Sequence, residues 1–228
     1  MKKLVPALFL LCLTGCDISV LNAQSETGQE QAFLIWFSFG LMMIVMLVVF
    51  VLFAKFVWKY RETPQNKDDL PKDVKGNKKL EITWTSLSIL LLVVLAVPMI
   101  SITYDQSAVL SSSKDNEEAV HVNVTAEQFF WTFGYENGKK TMNKLVIPAN
   151  KTIVFHLKSK DVIHSFWIPE LAGKTDVMPD RELDYEIVNA KKGTYEGKCA
   201  EFCGVLHTKM QFTTEVVSTS DYEEWLKK

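Results

Sequence analysis

The sequence predicts a membrane protein in which two N-terminal transmembrane helices form a hairpin and are followed by an all-β sandwich. Two long apolar runs without charged side chains predict the helices, and alternating apolar and polar residues from Ala119 onwards predict the sandwich. A loop near the C-terminus adds a dense set of soft metal ligands. At 228 residues, the chain has room for one globular domain beside the membrane segment.

The N-terminus has the features of a signal peptide over residues 1–15. Two lysines precede the apolar stretch Leu4 to Leu13, which is too short to span a membrane. The stretch ends in Leu13-Thr-Gly-Cys16, which resembles a bacterial lipoprotein signal, whose cysteine is acylated and becomes the first mature residue. We therefore predict lipidation of Cys16 and an outer segment over residues 16–31. The alternative is an ordinary signal peptide, or none, in which this cysteine is incidental.

Two runs are long enough to cross a bilayer. Residues 32–54 and residues 82–104 each comprise 23 residues without a charged side chain, above the roughly 20 that a spanning helix needs. We predict transmembrane helices over residues 32–58 and 82–104, joined by a loop over residues 59–81. The alternative, two buried helices of a soluble core, is disfavoured by their length.

Charge predicts the orientation of the hairpin. Residues 55–81 contain eight lysine and arginine residues, and positive loops stay in the cytoplasm. Both termini and everything after Tyr104 would then lie outside a bacterial cell membrane, whose lipid is an expected partner. Residues 105–118 form a linker rich in serine and acidic residues. From residue 105 onwards 15 basic and 19 acidic residues give a net charge of −4, which suits a basic partner; no nucleic-acid partner is expected.

The last segment, residues 119–228, has the alternation of half-buried strands. Val120, Val122 and Val124 alternate with polar residues, and a similar pattern surrounds Phe155. Further short strands are expected over residues 183–188, 194–197 and 211–217, with a terminal helix over residues 222–226. Several short strands in about 100 residues favour a sandwich or barrel over a parallel sheet.

The loop Cys199-Ala-Glu-Phe-Cys203-Gly-Val-Leu-His207-Thr-Lys-Met210 contains two thiols, an imidazole and a thioether. Soft sulfur with imidazole suits copper, zinc or an iron–sulfur cluster, and the thioether favours copper. The second cysteine allows the loop to bridge two metal ions. His164, in His164-Ser-Phe-Trp-Ile-Pro169, follows a predicted strand where the chain must turn, and is a further candidate ligand. His121 and His156 fall on polar strand faces and are predicted to be solvent-exposed.

Three interpretations compete for these side chains. A disulfide between Cys199 and Cys203 suits an extracytoplasmic protein but leaves the histidines and Met210 without a role. A closed tetrahedral zinc site of two cysteines and two histidines has no need of the methionine. A binuclear copper centre uses all five side chains and is favoured. No Cys-x-x-Cys-His motif occurs, so no covalent haem is expected.

This loop, the two spans before a β domain, the stretch Gln128-Phe-Phe-Trp-Thr-Phe-Gly-Tyr135 and the His164 motif together resemble cytochrome c oxidase subunit 2. The resemblance implies a cupredoxin-like sandwich with a binuclear copper A centre. It also implies the metal ligands: bridging thiolates from Cys199 and Cys203, one imidazole per copper from His164 and His207, and caps from Met210 and the backbone carbonyl of Glu201.

The implied function is that of a non-catalytic electron-input subunit in a respiratory oxidoreductase and translocase. Such a subunit accepts electrons from external cytochrome c and passes them to haem in subunit 1, which reduces oxygen and translocates protons; it is inactive without that partner. The alternatives are the copper A subunit of a nitric oxide reductase, a quinol oxidase subunit 2, which lacks the copper ligands, and a copper-delivery lipoprotein. Two spans argue against the last.

The resemblance assigns roles to four more side chains. The carboxylate of Glu201 would help to bind magnesium at the interface with subunit 1, or is simply an exposed loop acid. Glu81 would lie at the mouth of a proton channel, or is an acid favoured by the helix dipole. Phe129 stands where the family has an exposed tryptophan that receives electrons, and Trp131 matches the second tryptophan. Both are predicted as electron-input residues, with ordinary packing as the alternative.

Overall fold

The computed structural model describes residues 18–64, 66–67, 73, 75–106 and 119–228. The predicted signal peptide, the lipidation site at Cys16 and nearly all of the predicted linker lie outside the described residues and stay predictions. The chain forms two compact units. One contains residues 33–103, and the other contains the residues up to Ala32 together with those from Tyr104 onwards.

Two long apolar helices account for the first unit. Helix α1 spans Glu26–Tyr60 and helix α2 spans Lys78–Asp105, so both extend beyond the predicted spans at each end. Their most apolar windows have mean hydropathies of 2.8 and 2.5, and neither window is buried within the protein. A helix that is apolar all round and exposed belongs in lipid. The chain is therefore a membrane protein with two spans, as predicted.

Polar side chains cap both helices at their N-termini. Ser25 Oγ accepts a hydrogen bond from the Gly28 backbone N–H at 2.9 Å, and Asn77 Oδ1 accepts one from the Lys79 N–H at 3.1 Å. The first N–H groups of a helix have no partner within it, so these caps define where each helix begins.

Ten strands form the second unit. In chain order they are β1 Val120–Glu127, β2 Phe130–Tyr135, β3 Lys140–Met142, β4 Lys144–Pro148, β5 Thr152–Ser159, β6 His164–Trp167, β7 Thr175–Val177, β8 Leu183–Val188, β9 Gly193–Cys199 and β10 Gln211–Val217. Helix α3, Thr219–Lys227, follows them. The strands form two five-stranded sheets in the orders β3-β2-β1-β5-β8 and β4-β10-β9-β6-β7. The predicted sandwich is confirmed.

Most neighbouring strands are antiparallel, but β1 pairs with β5 and β4 pairs with β10 in parallel. Parallel neighbours cannot be joined by a tight hairpin, so the chain passes between the two sheets. That passage brings β6 and β9 side by side although about 30 residues separate them along the chain. The pairing of β6 with β9 positions the functional loop.

Aromatic side chains fill the core between the sheets. Trp131, Phe133 and Phe166 are fully buried, and the rings of Phe166 and Phe212 stack at a centroid distance of 5.1 Å. Gly197 lies opposite Phe212 in the β9–β10 pair, and a Cβ at that position would lie 2.1 Å from the phenyl ring. Only glycine therefore allows this ring to lie across β9.

Candidate metal centre

Strand pairing brings the first histidine to the cysteine loop. His164 is the first residue of β6, Cys199 is the last residue of β9, and Phe166 lies opposite Cys199 in this antiparallel pair. The Ala200 N–H donates to the Ser165 carbonyl at 3.0 Å and ties the loop to β6. The sequence-based placement of His164 in a turn is wrong: it begins a strand and is fully buried, because the chain turns just before it.

Backbone hydrogen bonds close the loop on itself. The Cys199 N–H donates to the Met210 carbonyl at 2.9 Å, which joins the two ends of the loop. Residues His207–Lys209 form a 3-10 turn, and the Met210 N–H donates to the His207 carbonyl at 3.2 Å. A loop held in this way has little freedom to rearrange, as a preorganised ligand set requires.

The five predicted side-chain ligands meet at one place. The two sulfur atoms Cys199 Sγ and Cys203 Sγ are 3.8 Å apart. His164 Nδ1 lies 3.8 Å from Cys199 Sγ, and His207 Nδ1 lies 3.6 Å from Cys203 Sγ. Met210 Sδ lies 3.8 Å from Cys203 Sγ, and this side chain is fully buried. Both cysteines are free, and no disulfide joins them.

These separations fit donors around metal ions. Metal–sulfur bonds of about 2.3 Å and metal–nitrogen bonds of about 2.0 to 2.1 Å place neighbouring tetrahedral donors about 3.5 to 3.8 Å apart. The backbone carbonyl of Glu201 lies 3.2 Å from Cys199 Sγ and adds a possible oxygen donor. Thiolate, imidazole and thioether are the donors that soft transition metals prefer, so the residues fit copper.

The two thiols are coupled, so that ionisation of one disfavours ionisation of the other. Burial disfavours ionisation of Cys199, but hydrogen bonds from His164 and the backbone outweigh it and lower the pKa of this thiol to about 6. Burial, together with the charge of Cys199, raises the pKa of Cys203 to about 12. Two thiolates at this separation repel each other in a buried site, so the second becomes stable only with added positive charge, which bound metal supplies.

Asp161 holds the imidazole of His164 in place. Its Oδ1 lies 2.8 Å from His164 Nε2, which leaves Nδ1 directed at the cysteine sulfur. Burial disfavours both charged forms, but their mutual hydrogen bond lowers the pKa of Asp161, and contacts with Cys199 and Asp161 raise the pKa of His164. Such carboxylate partners orient metal-binding histidines. Asp161 could not be found from the sequence, because only its position three residues before a candidate ligand marks it.

The two predicted electron-input residues have different surroundings. Trp131 is fully buried and packs edge-on against His164 at a centroid distance of 6.1 Å, so it does not face solvent, and its role in electron entry stays a prediction. Alternation along β2 turns this side chain into the core. Phe129 precedes β2 and is partly exposed, and a Cβ at Gly204 would lie 3.1 Å from its ring. Phe129 therefore packs on the loop beside Cys203.

Gln128 ties the start of β2 to the same loop. Its side-chain amide donates to the Cys203 carbonyl, and its backbone N–H donates to Asp161 Oδ2 at 2.7 Å. The residue thus links the segment that carries Phe129 both to a cysteine and to the carboxylate that orients His164. In the sequence, Gln128 is marked only as the first residue of the aromatic stretch Gln128–Tyr135.

The side chain of Glu201 forms an ion pair with a lysine. Its carboxylate is about half exposed and lies 3.3 Å from Lys174 Nζ. The carboxylate is accessible to a partner chain, but a magnesium ion would have to displace this lysine. The magnesium role stays a prediction.

Apolar side chains project from the loop into solvent. Phe202 is 77% exposed, Val205 is 92% exposed and Leu206 is half exposed. Exposed apolar residues clustered on one loop indicate a surface that a partner protein covers. Cys203, between Phe202 and Val205 in the chain, is buried.

His121 and His156 were predicted to be solvent-exposed. Both are only partly exposed, and they interact with each other. His121 Nδ1 and His156 Nε2 are 3.0 Å apart, and their rings stack at a centroid distance of 5.2 Å. His156 Nδ1 also lies 2.6 Å from Asp184 Oδ1 and 4.0 Å from Glu182 Oε1. Pairing of β5 with β1 and β8 causes this, since neighbouring strands place polar residues side by side. These ring nitrogens are hydrogen-bonded and lie outside the cysteine loop.

Glu81 lies in the first turn of α2 and is exposed. A Cβ at Gly76 would lie 2.9 Å from Glu81 Oε1, so the carboxylate folds back over the segment before the helix. An acid in a first helical turn is favourable with or without a proton-uptake role, which stays a prediction.

Comparison with known proteins gives matches over most of the chain. Residues 16–102 match the family "Cytochrome C oxidase subunit II, transmembrane domain", and residues 138–217 match "Cytochrome C oxidase subunit II, periplasmic domain". Cytochrome c oxidase subunit 2 of Alkalihalophilus pseudofirmus is 36% identical over 232 residues, which cover 99% of this chain and 68% of the relative. Quinol oxidase subunit 2 of Bacillus cereus is also 36% identical, over 230 residues covering 100% of this chain and 79% of the relative.

A solved structure gives a further match. The periplasmic domain of subunit II of cytochrome oxidase of Bradyrhizobium japonicum is 29% identical, with a TM-score of 0.45. The match covers 47% of this chain and 91% of that domain.

Proposed function

Because the chain belongs to the cytochrome c oxidase subunit II family, we propose that its sandwich holds a binuclear copper A centre and supplies electrons to a haem–copper oxidase. The observation that carries the proposal is the convergence of His164, Cys199, Cys203, His207 and Met210 within 3.8 Å contacts. A subunit that transfers electrons needs such a ligand set, and a purely structural subunit does not.

The arrangement favours two metal ions over one. The ligand atoms of His164, Cys199 and Cys203 lie within 4.8 Å of one another, and His207 is not part of that mutual group. A single tetrahedral zinc ion would need all four donors about 3.5 to 3.8 Å from each other. Here His164 Nδ1 lies 3.8 Å from Cys199 Sγ, and His207 Nδ1 lies 3.6 Å from Cys203 Sγ. Met210, which zinc would leave unused, adjoins Cys203.

Copper held by these residues would supply one-electron redox chemistry. The protein restricts the motion of the ligand side chains and shields them from water. Asp161 orients His164, and Trp131 and Phe166 pack edge-on in the core beneath it. The three sulfur donors, Cys199, Cys203 and Met210, are each at most 5% exposed, so water is largely excluded from the site. A rigid, dry site changes little between redox states, which favours fast electron transfer.

Electrons are proposed to arrive beside Phe129. This ring packs on Gly204, next to Cys203, and the Gln128 side-chain amide donates to the Cys203 carbonyl. The exposed apolar residues Phe202, Val205 and Leu206 offer a surface for a partner, either the donor or subunit 1. We propose external cytochrome c as the donor and haem of subunit 1 as the acceptor.

Relatives named quinol oxidase subunit 2 match this chain as well as those named cytochrome c oxidase subunit 2. Overall identity therefore does not choose between the two donors. The complete set of metal donors in the loop favours cytochrome c, since a quinol-dependent subunit needs no copper there. A copper A subunit of a nitric oxide reductase has the same donors, and its distinction lies in the partner's active site.

The remaining roles form part of the same proposal. Lipidation of Cys16, an extracytoplasmic sandwich, proton uptake at Glu81 and magnesium binding at Glu201 fit a subunit of this family. The basic loop between the spans supports the orientation. The domain boundaries are proposed as residues 32–58 and 82–104 for the spans and 119–228 for the copper domain.

Electron paramagnetic resonance of the purified full chain, loaded with copper in detergent, tests the copper centre. We expect a seven-line hyperfine pattern from one unpaired electron shared by two copper nuclei. Cys203→Ser should remove that pattern, whereas Thr208→Ser, an exposed change in the same loop, should leave it intact. A four-line pattern in the unchanged chain, or a chain that takes up zinc and no copper, would contradict the binuclear centre.

The donor is tested in the assembled oxidase. Oxygen consumption with reduced cytochrome c should exceed that with a quinol, and Cys203→Ser should abolish only the first activity. A quinol rate that exceeds the cytochrome c rate in the unchanged oxidase, and that Cys203→Ser leaves intact, would place this chain with the quinol-dependent relatives instead.

A further inference from the structure

A second polar site lies away from the cysteine loop, within the unit that contains the sandwich. A cavity of about 160 Å³ is lined by four carboxylates, those of Glu26, Glu30, Asp105 and Glu186, which we call the acidic cavity. Three segments contribute: the start of α1, the end of α2 and strand β8. The remaining lining residues are Thr27, Gln106 and Val188, so no basic side chain is among the described residues around it.

The buried carboxylate of Glu186 is incompletely hydrogen-bonded. Its side chain is only 7% exposed, and its Oε2 has no hydrogen-bond partner. Removing a carboxylate oxygen from water without replacing its hydrogen bonds is unfavourable, and nearby carboxylates add like-charge repulsion. A bound cation removes both penalties at once.

Neutral amides satisfy part of the cavity wall. Asn189 Nδ2 donates to Glu26 Oε2 at 2.6 Å, and Gln106 Nε2 donates to Glu30 Oε2 at 2.8 Å. Gln31 Nε2 in turn donates to Gln106 Oε1 at 2.8 Å, which fixes that amide. These contacts hold the carboxylates in position but add no positive charge to balance them.

The end of α2 adds to the negative potential. Asp105 is the last residue of this helix, where the helix dipole is negative and favours cations over carboxylates. An acid at this position is disfavoured unless a cation lies nearby. Glu26 and Glu30 lie one helical turn apart at the start of α1, so they present their charges on one face.

We propose that the acidic cavity binds one hard divalent cation, and that Ca²⁺ fits it best. Carboxylate and amide oxygens are hard ligands, unlike the sulfur and imidazole donors of the loop. Calcium accepts six to eight oxygens in flexible geometry, whereas magnesium demands a nearly ideal octahedron, which side chains from three separate segments do not readily provide. The volume has room for an ion and several waters, since each water occupies about 30 Å³ of liquid.

The cation would have a structural role. It would join the start of α1 and the end of α2 to β8, a strand of the sandwich. Binding to the folded chain alone stabilises it. The site would thus fasten the two segments that enter and leave the hairpin to the domain that carries the metal loop.

Calcium binding to the purified full chain in detergent tests this proposal. After treatment with a chelator, the unchanged chain should bind one Ca²⁺ in calorimetric titration up to about 1 mM, the weak end for extracellular calcium modules. Glu186→Gln should weaken binding at least tenfold. Glu196→Gln, the same change at an exposed position on β9, should leave it unchanged.

Thermal unfolding gives a second readout. In excess chelator, Glu186→Gln should unfold at a higher temperature than the unchanged chain, because it removes a buried unpaired charge. In calcium the order should reverse. The proposal is overturned if the unchanged chain binds no Ca²⁺, if Glu186→Gln and Glu196→Gln bind it equally, or if Mg²⁺ binds more tightly. Loss of binding in Cys203→Ser would also overturn it, by placing the ion at the loop.

Discussion

Asp161→Asn is the sharpest test of how the chain orients its metal ligands. One oxygen of Asp161 lies 2.8 Å from His164 Nε2 and 2.7 Å from the Val162 N–H, and the other accepts from the Gln128 N–H at 2.7 Å. An asparagine has a single acceptor oxygen, so its amide nitrogen must face one of these donors. With its nitrogen towards Gln128, the N–H of that exposed residue loses its acceptor; with its nitrogen towards His164, the fully buried imidazole loses its acceptor.

The expected magnitude follows from that loss. Leaving a buried donor without its acceptor costs about 1 to 3 kcal/mol. Since about 1.4 kcal/mol corresponds to a tenfold change in an equilibrium constant, copper affinity should fall about 5- to 150-fold. This range agrees with the loss of about 10- to 100-fold found when partners of metal-bound histidines are changed.

The assay is competition for copper between the purified full chain and a chelator of known affinity, with the hyperfine pattern recorded in parallel. Asp180→Asn is the matched control, because this exposed residue lies between β7 and β8 and contacts no ligand. Asp161→Asn should weaken copper binding and alter the spectrum, while the control matches the unchanged chain. Unchanged affinity and spectrum in Asp161→Asn would refute the positioning role, as would equal losses in both variants.

Three further outcomes are expected. Gly197→Ala should lower the free energy of unfolding, measured by denaturant titration, by about 1 to 3 kcal/mol, because the added Cβ would overlap the Phe212 ring. The control is Gly134→Ala, whose added Cβ would have its nearest neighbour at 3.6 Å. Equal losses in the two variants would contradict the prediction. Copper held about 100-fold above its dissociation constant should add about 2.7 kcal/mol to the unfolding free energy, and chelation should remove it; no such change is expected in Cys203→Ser. Phe129→Ala should raise the KM for cytochrome c about thirtyfold, as for a central aromatic contact worth about 2 kcal/mol, without changing copper content, whereas an unchanged KM would exclude Phe129 from the docking surface.

Features encoded over short distances could be predicted from the sequence. The length of an uncharged apolar run identifies a membrane span without knowledge of its neighbours, and both spans are present as helices. Strand β8 at Leu183–Val188 and strand β10 at Gln211–Val217 match their predicted bounds, because period-two alternation is a local property. Cys199, Cys203, His207 and Met210 lie on one short loop, so their proximity is local too.

Features that depend on which strands become neighbours could not be predicted. Alternation correctly turned His121 and His156 away from the core, but it could not show that β1, β5 and β8 would place them together with Asp184. It also could not show that Trp131 would be buried against His164, since a period of two leaves open which face of the strand meets the other sheet.

The sequence by itself determined two spans, a β domain and four soft ligands on one loop, because residue spacing and side-chain chemistry suffice for these. Tertiary structure alone decided that the candidate ligand His164, 35 residues before Cys199, lies beside it, that Asp161 contacts its ring, and that Glu186 is buried with no hydrogen-bond partner for its Oε2. The physical reason is that pairing between distant strands depends on packing of the whole core, and no local pattern encodes which strands will meet.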